Sequence, residues 1–275
     1  VMQETLLKIA NGGEGQSFRL LADSGLLKTV EIVQHLFVKT QQSELAARLL
    51  QKISQADLEA TLTRHLDHDD PVIAEAAMGL LVAQSKTTSA VGEISASLAD
   101  LPAEIAYAFA WPVTASLARL SGLPGLQLQT ATERLLASHD ESASVARKAD
   151  RLAQLIEQSK TAEDHIPHPM RDGLSLFIAR LARQTGLTSD QIVTFTAEPD
   201  MARLVVAMRA ADFPVQEALS VFFALDDGDH ILTAATYGET DRDRSLALAS
   251  RWAAPDSFQN AQRVVADDSL GDRGK

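Results

Sequence analysis

Apolar residues recur at helical spacing along nearly the whole chain. Leu58, Leu62 and Leu66 stand four residues apart in segment 57–66, and Ile73, Ala77 and Leu80 or Leu81 repeat the spacing in segment 72–81. Each segment therefore presents one apolar stripe. The polar turn Asp67-His68-Asp69-Asp70-Pro71 joins them. Asp69 or Asp70 suits the cap of the second helix, and Pro71 suits its first turn, where a missing N–H costs nothing. This is the layout of a helical hairpin whose two stripes cover each other. Upstream, apolar positions at Leu26, Val30, Val33 and Phe37, then at Leu45, Leu49 and Ile53, continue the period.

Extended along the chain, the pattern predicts helices at about 17–23, 26–39, 43–52, 55–67, 71–84 and 90–99, after a short N-terminal helix ending near Ala10. Strand-like alternation is scarce. Six helices in about a hundred residues with short connections is the spacing of stacked antiparallel pairs. From Leu101 a longer apolar helix begins, interrupted by Pro112, where loss of a hydrogen bond and a clash with the preceding turn predict a kink or restart. Gly122-Leu123-Pro124-Gly125 ends it, and helices at about 126–137 and 140–159 follow. Segment 159–169 has no apolar period and carries Pro167 and Pro169, which marks it as an exposed hinge. Beyond it, Thr188, Pro214 and Thr240 each stand at or just before a helix start, with helices at about 191–196, 200–211, 217–225, 229–237, 246–252 and 257–265. The expectation is an all-α protein in two parts, a HEAT-like helical solenoid over 1–160 and a second helical bundle over 170–266, with a frayed polar tail at 267–275.

Composition narrows the class without changing that picture. The 275 residues are 45% hydrophobic but only 5% aromatic, so Ala, Leu, Val and Ile must fill the core. Cysteine is absent, which removes disulfides and thiolate metal sites and fits a cytoplasmic setting. No apolar run approaches the roughly 20 residues that span a bilayer, and Val1-Met2 is not followed by a basic and then an apolar leader. Net charge is −12, spread so that every third of the chain is acidic. Nucleic-acid binding draws on cationic neutralisation of phosphates, and the one small basic cluster, Arg147, Lys148 and Arg151, is interrupted by Asp150. A solvated helix face explains that cluster better.

Candidate chemistry is sparse. His65 and His68 are spaced to lie one turn apart, with Asp69 beside them, a set that could hold a divalent metal with carboxylate help. The same His68-Asp69 dipeptide is like that of the HD-type metal-dependent phosphohydrolases, whose pattern needs further His and Asp ligands on later helices. The loop pair His165 and His168, or His139 with Asp140, could serve only by coincidence of folding. The simpler reading puts His65 and His68 on the surface, flanking a capped turn. Asp226-Asp227-Gly228-Asp229-His230 looks calcium-like, yet an EF-hand register begun at Asp226 puts Ile231 where glycine is required. Gly12-Gly13-Glu14-Gly15 is no phosphate loop, because no strand precedes it and no Gly-Lys-Ser/Thr follows. Phe222, Phe223 and Trp111 read as core positions.

The segment Leu66-Asp67-His68-Asp69-Asp70-Pro71-Val72-Ile73-Ala74-Glu75-Ala76-Ala77-Met78-Gly79-Leu80-Leu81 is similar to the consensus of HEAT repeats, except that Ile73 stands where a basic residue is usual. Together with Leu101-Pro102-Ala103-Glu104-Ile105-Ala106 and Trp111-Pro112-Val113, it resembles an uncharacterised alphaproteobacterial family of helical proteins with no assigned function. The resemblance covers about residues 20–160 and implies a HEAT-like N-terminal half without implying an activity.

The functional expectation is a non-enzymatic protein-interaction or regulatory scaffold. It binds another protein, neither nucleic acid nor the membrane interior, with no catalytic, cofactor-binding or metal-binding residue assigned. The alternative is an HD-type metal-dependent phosphohydrolase.

Overall fold

The computed structural model describes residues 19–52, 63–87, 100–159, 166–225, 235, 237–255 and 258, and these are helices joined by turns, with no strand among them. The protein is all-α. The principal helices are α1 (Val30–Lys52), α2 (Pro71–Thr87), α3 (Ala103–Ser121), α4 (Gly125–Ala137), α5 (Val145–Ser159), α6 (Pro169–Asp172), α7 (Leu174–Thr185), α8 (Ser189–Thr196), α9 (Ala202–Ala210), α10 (Val215–Leu225) and α11 (Arg242–Ala253). Short 3-10 turns lie at Leu26–Lys28 and Glu141–Ala143.

The chain divides into two compact units that interleave in sequence, residues 1–43 with 78–148 and residues 44–77 with 149–275. A single cut near residue 160 does not describe this partition. In the first unit α3 packs on α4 and touches the turn Leu26–Lys28. Ala106 and Ala110 of α3 and Leu128 of α4 are buried, and the hydroxyls of Thr114 and Thr132 meet at 2.5 Å, each helix satisfying a polar group of the other.

In the second unit α7 is the central element. Every residue of 176–182 is buried, and α6, α8, α9 and α11 all pack against it. Contacts that reach from α7 to α11 belong to a bundle, since a solenoid repeat touches only its neighbours. The described helices from Pro169 onward are short, twelve residues at most. Their ends are set by local chemistry. Thr188 and Gln191 form a reciprocal capping box on α8, Asp241 caps α11 through the Arg244 N–H, and Gly186 ends α7 at φ 72°, where a side chain would be strained.

Several expectations meet the structure directly. Pro71 opens α2, and Asp70 is its cap, with Oδ1 accepting the Val72 N–H at 2.9 Å. Ile73, Ala77 and Leu80 form the buried stripe, whereas Leu81 faces outward. Leu58, Leu62 and the expected helix at 90–99 lie outside the described residues.

Other expectations are corrected. The helices at 26–39 and 43–52 are one, α1, because Thr40-Gln41-Gln42-Ser43 holds neither Pro nor Gly and the Thr40 hydroxyl returns to the Leu36 carbonyl at 2.9 Å. Pro112 sits inside an unbroken α3, with the Ser116 hydroxyl donating to the Pro112 carbonyl. The described part of the expected hinge is not exposed: Pro167, His168 and Pro169 are buried.

Candidate functional site

His65 is buried and His68 half-buried, so they are not two surface residues. Four charged or titratable side chains that the periodic pattern does not single out as a group meet inside the second unit. Asp172, at the end of α6, has no solvent exposure, and His65, His168 and Arg180 are each less than a tenth exposed. Asp172 Oδ2 accepts the His168 backbone N–H at 2.7 Å and lies 3.7 Å from Arg180 Nη1, while Oδ1 lies 3.6 Å from His65 Nε2. Residues 63–66 are helical and bring His65 in from one side. The α6 turn supplies His168 and Asp172, and α7 supplies Arg180. Burying a carboxylate is costly unless opposite charge and hydrogen bonds surround it, and this carboxylate has both.

His68 follows a different path. It is half-buried, and its Nδ1 accepts the Asp70 N–H at 2.9 Å, so the ring shapes the turn before α2. Asp69 is exposed. His139 places Nε2 3.1 Å from the Leu101 carbonyl oxygen. Asp140 caps the 3-10 turn Glu141–Ala143, and hydrogen bonds from the Ser142 hydroxyl and N–H hold its carboxyl below the usual range. His165 and the sequence 226–230 lie outside the described residues. Among the described residues no group of three or more His, Asp or Glu is placed to hold a metal ion.

His168 is the most tightly specified of the four. As the N-cap of α6 it accepts the Met170 N–H on Nδ1 at 3.1 Å. Burial is the main force pushing its pKa below the ordinary 6.5, and the nearby Arg171 adds to it; the Ser220 backbone on α10, Glu217 and Asp172 offset only part.

A cleft of about 160 Å³ opens beside the cluster, lined by Glu157, Pro167, Arg180, Arg183 and Phe213 among others. Its cations already face carboxylates, Arg180 toward Asp172 and Arg183 toward Asp150 at 3.3 Å and Glu157 at 3.0 Å. Two guanidiniums against three carboxylates leave no positive excess to draw an anion.

Sequence reasoning missed Asp172 and Arg180. The signals were present: Arg180 is the sole charge within Leu174-Ser175-Leu176-Phe177-Ile178-Ala179-Arg180-Leu181-Ala182, and His168 and Asp172 stand four apart around Pro169.

Elsewhere, α1 is apolar on two sides. Its inner face buries Ile32, Val38, Leu45 and Leu49. On the opposite side Val30 (70% exposed), Val33, Leu36 and Phe37 (58% exposed) cover the first two turns, so three members of the stripe read from the sequence face solvent. Farther along, the outward face turns polar with Thr40, Glu44 and Gln51. The basic cluster is as exposed as a solvated face should be at Arg147 and Arg151, and Arg147 pairs with Glu141. No helix among the described residues is long and apolar enough to cross a membrane. A scan against protein-family models and searches of curated proteins and of solved structures found nothing that matches this chain.

Proposed function

We propose that the protein is a non-enzymatic interaction scaffold that docks another protein on the outward face of α1. The observation that carries this reading is the cluster Val30, Val33, Leu36 and Phe37, four large apolar side chains gathered on two turns and turned away from the core. Scattered apolar residues are normal on a protein surface, whereas a contiguous group rimmed by polar residues marks an interaction site. Two helical turns of narrow apolar stripe fit the stripe of a single amphipathic helix, with anchors at i, i+3, i+4 and i+7.

Charge and composition support the same choice. A net charge of −12 disfavours a phosphate backbone as the partner, and the absence of cysteine suits a reducing cytoplasm. The HEAT-like character of the N-terminal half belongs to this proposal, since stacked helical pairs are a common way to present such faces.

The test is site-specific photo-crosslinking. A benzophenone side chain replacing Phe37 should capture a discrete partner protein in extract of the native host, and Val33→Glu should abolish capture without changing helicity. The same probe at Gln51, on the polar continuation of that face, serves as reference. Crosslinking at position 37 no stronger than at position 51 would overturn the proposal.

A further inference from the structure

The N-cap of α6 is a titratable ring, which is unusual chemistry for a position more often filled by Ser, Thr, Asp or Asn. A cap must accept a backbone N–H. A neutral imidazole has one acceptor nitrogen and one donor nitrogen, and a protonated imidazole has only donors. Here Nδ1 accepts from the Met170 N–H at 3.1 Å. A neutral ring makes that bond only as the tautomer with the proton on Nε2.

We propose that His168 is an acid-sensitive latch that caps the α6 turn while neutral and lets go of it when Nδ1 is protonated. On protonation the Met170 N–H faces another N–H, and an attractive contact becomes a repulsive one. The ties that remain at this corner are the His168 backbone N–H to Asp172 Oδ2 at 2.7 Å, on a carboxylate shared with Arg180 and His65, and the Arg171 and Asp172 N–H groups to the His168 carbonyl at 3.1 and 2.9 Å. The charges around the ring come from each element packed on it. Arg171 and Asp172 belong to its own turn and Glu217 to α10, while His65 on residues 63–66 and Arg180 on α7 reach it through Asp172. Arg171 is itself paired with Glu217 at 2.9 Å, a link between α6 and α10 that does not depend on the ring. Acid therefore loosens the turn 166–172 locally and leaves the bundle standing. The buried residues Pro167 and Pro169 are the ones it would uncover.

The experiment uses the whole protein. Ring nitrogen shifts of labelled histidine should show His168 in the Nε2–H form at pH 7.5. Hydrogen exchange of the Met170 amide, corrected for intrinsic rate, should accelerate at least tenfold as the pH is lowered through the His168 midpoint that the same ring shifts report. The Gln191 amide, capped by the hydroxyl of Thr188, should stay flat over the same range. In His168→Asn, whose side chain accepts without titrating, Met170 protection should not change with pH. An Nδ1–H tautomer, a Met170 amide indifferent to pH, or an equal loss in His168→Asn would each overturn the latch. If His168→Asn does not fold, the tautomer and the coincidence of the two wild-type midpoints decide the matter.

Discussion

The hydroxyl of Tyr237 donates to the backbone carbonyl of Phe213 at 2.5 Å, inside the second unit where neither side chain reaches solvent. The same ring meets Phe222 edge to face at a centroid distance of 6.2 Å, and the Arg209 guanidinium lies 5.7 Å from its centre. Tyr237→Phe keeps the packing but leaves a buried carbonyl without this donor, and should cost about 1–3 kcal/mol in urea unfolding. A loss near zero would mean that the carbonyl finds another donor.

Burial pushes the Tyr237 hydroxyl from the ordinary 10.0 up to about 12, with Arg209 opposing it. A pKa raised in the folded state means that the unfolded chain gives up this proton first. The stability tied to Tyr237 is therefore whole below pH 10.0 and is lost as pH rises through about 12. The ultraviolet phenolate difference between wild type and Tyr237→Phe should show a midpoint near 12; a midpoint at 10 would place the ring in water.

Asp172 should be among the least replaceable residues of the bundle. Asp172→Asn preserves shape while removing the charge that faces Arg180, and a broken buried pair costs about 3–5 kcal/mol. The double variant Asp172→Asn with Arg180→Met should lose less than the two single changes summed, because the second removes what the first left uncompensated. Strict additivity in that cycle would dissolve the ion pair as an energetic unit.

His168 carries a pH dependence of opposite sign to that of Tyr237. Its folded pKa is depressed below 6.5 by burial, so the unfolded chain binds a proton more readily. Its contribution is complete above pH 6.5 and falls as pH drops through the folded value. Urea midpoints measured between pH 7.5 and 5 should decline more steeply for wild type than for His168→Asn.

On α2, adjacent leucines should behave oppositely. Leu80 is fully buried and Leu81 is largely exposed, so Leu80→Ala should cost about 2–5 kcal/mol and Leu81→Ala less than about 0.5 kcal/mol. Equal losses would contradict the facing of the helix.

The start of α2 and its buried stripe were legible in the sequence because their determinants are local. Asp70, Pro71 and the Ile73, Ala77, Leu80 stripe act within a few residues of one another. The first stripe of α1 was legible as helix but not as surface. Val30, Val33 and Phe37 share a face with a clear period, while the residues that turn inward, Ile32 and Val38, are fewer and share that side with His35. Periodicity reports a helix and leaves open which of two apolar faces is covered. Phe222 and Phe223 show the same ambiguity at closer range. Successive residues point about 100° apart on a helix, so one ring is buried and its neighbour is 60% exposed. The buried cluster was illegible for another reason. His65 meets Asp172 only because the chain folds back across more than a hundred positions, and no local rule pairs residues at that separation.

The brevity of the helices from Pro169 onward has a consequence for how this part of the chain comes apart. A helix in water needs about 12–15 residues to hold its shape alone, and these run from four residues in α6 to twelve in α7 and α11. None can persist once its neighbours leave. Loss of α7 from the centre should thus melt the surrounding helices in a single step, and in a Trp111→Phe variant the fluorescence of Trp252 on α11 and the exchange of amides on α7 to α10 should trace one coincident transition.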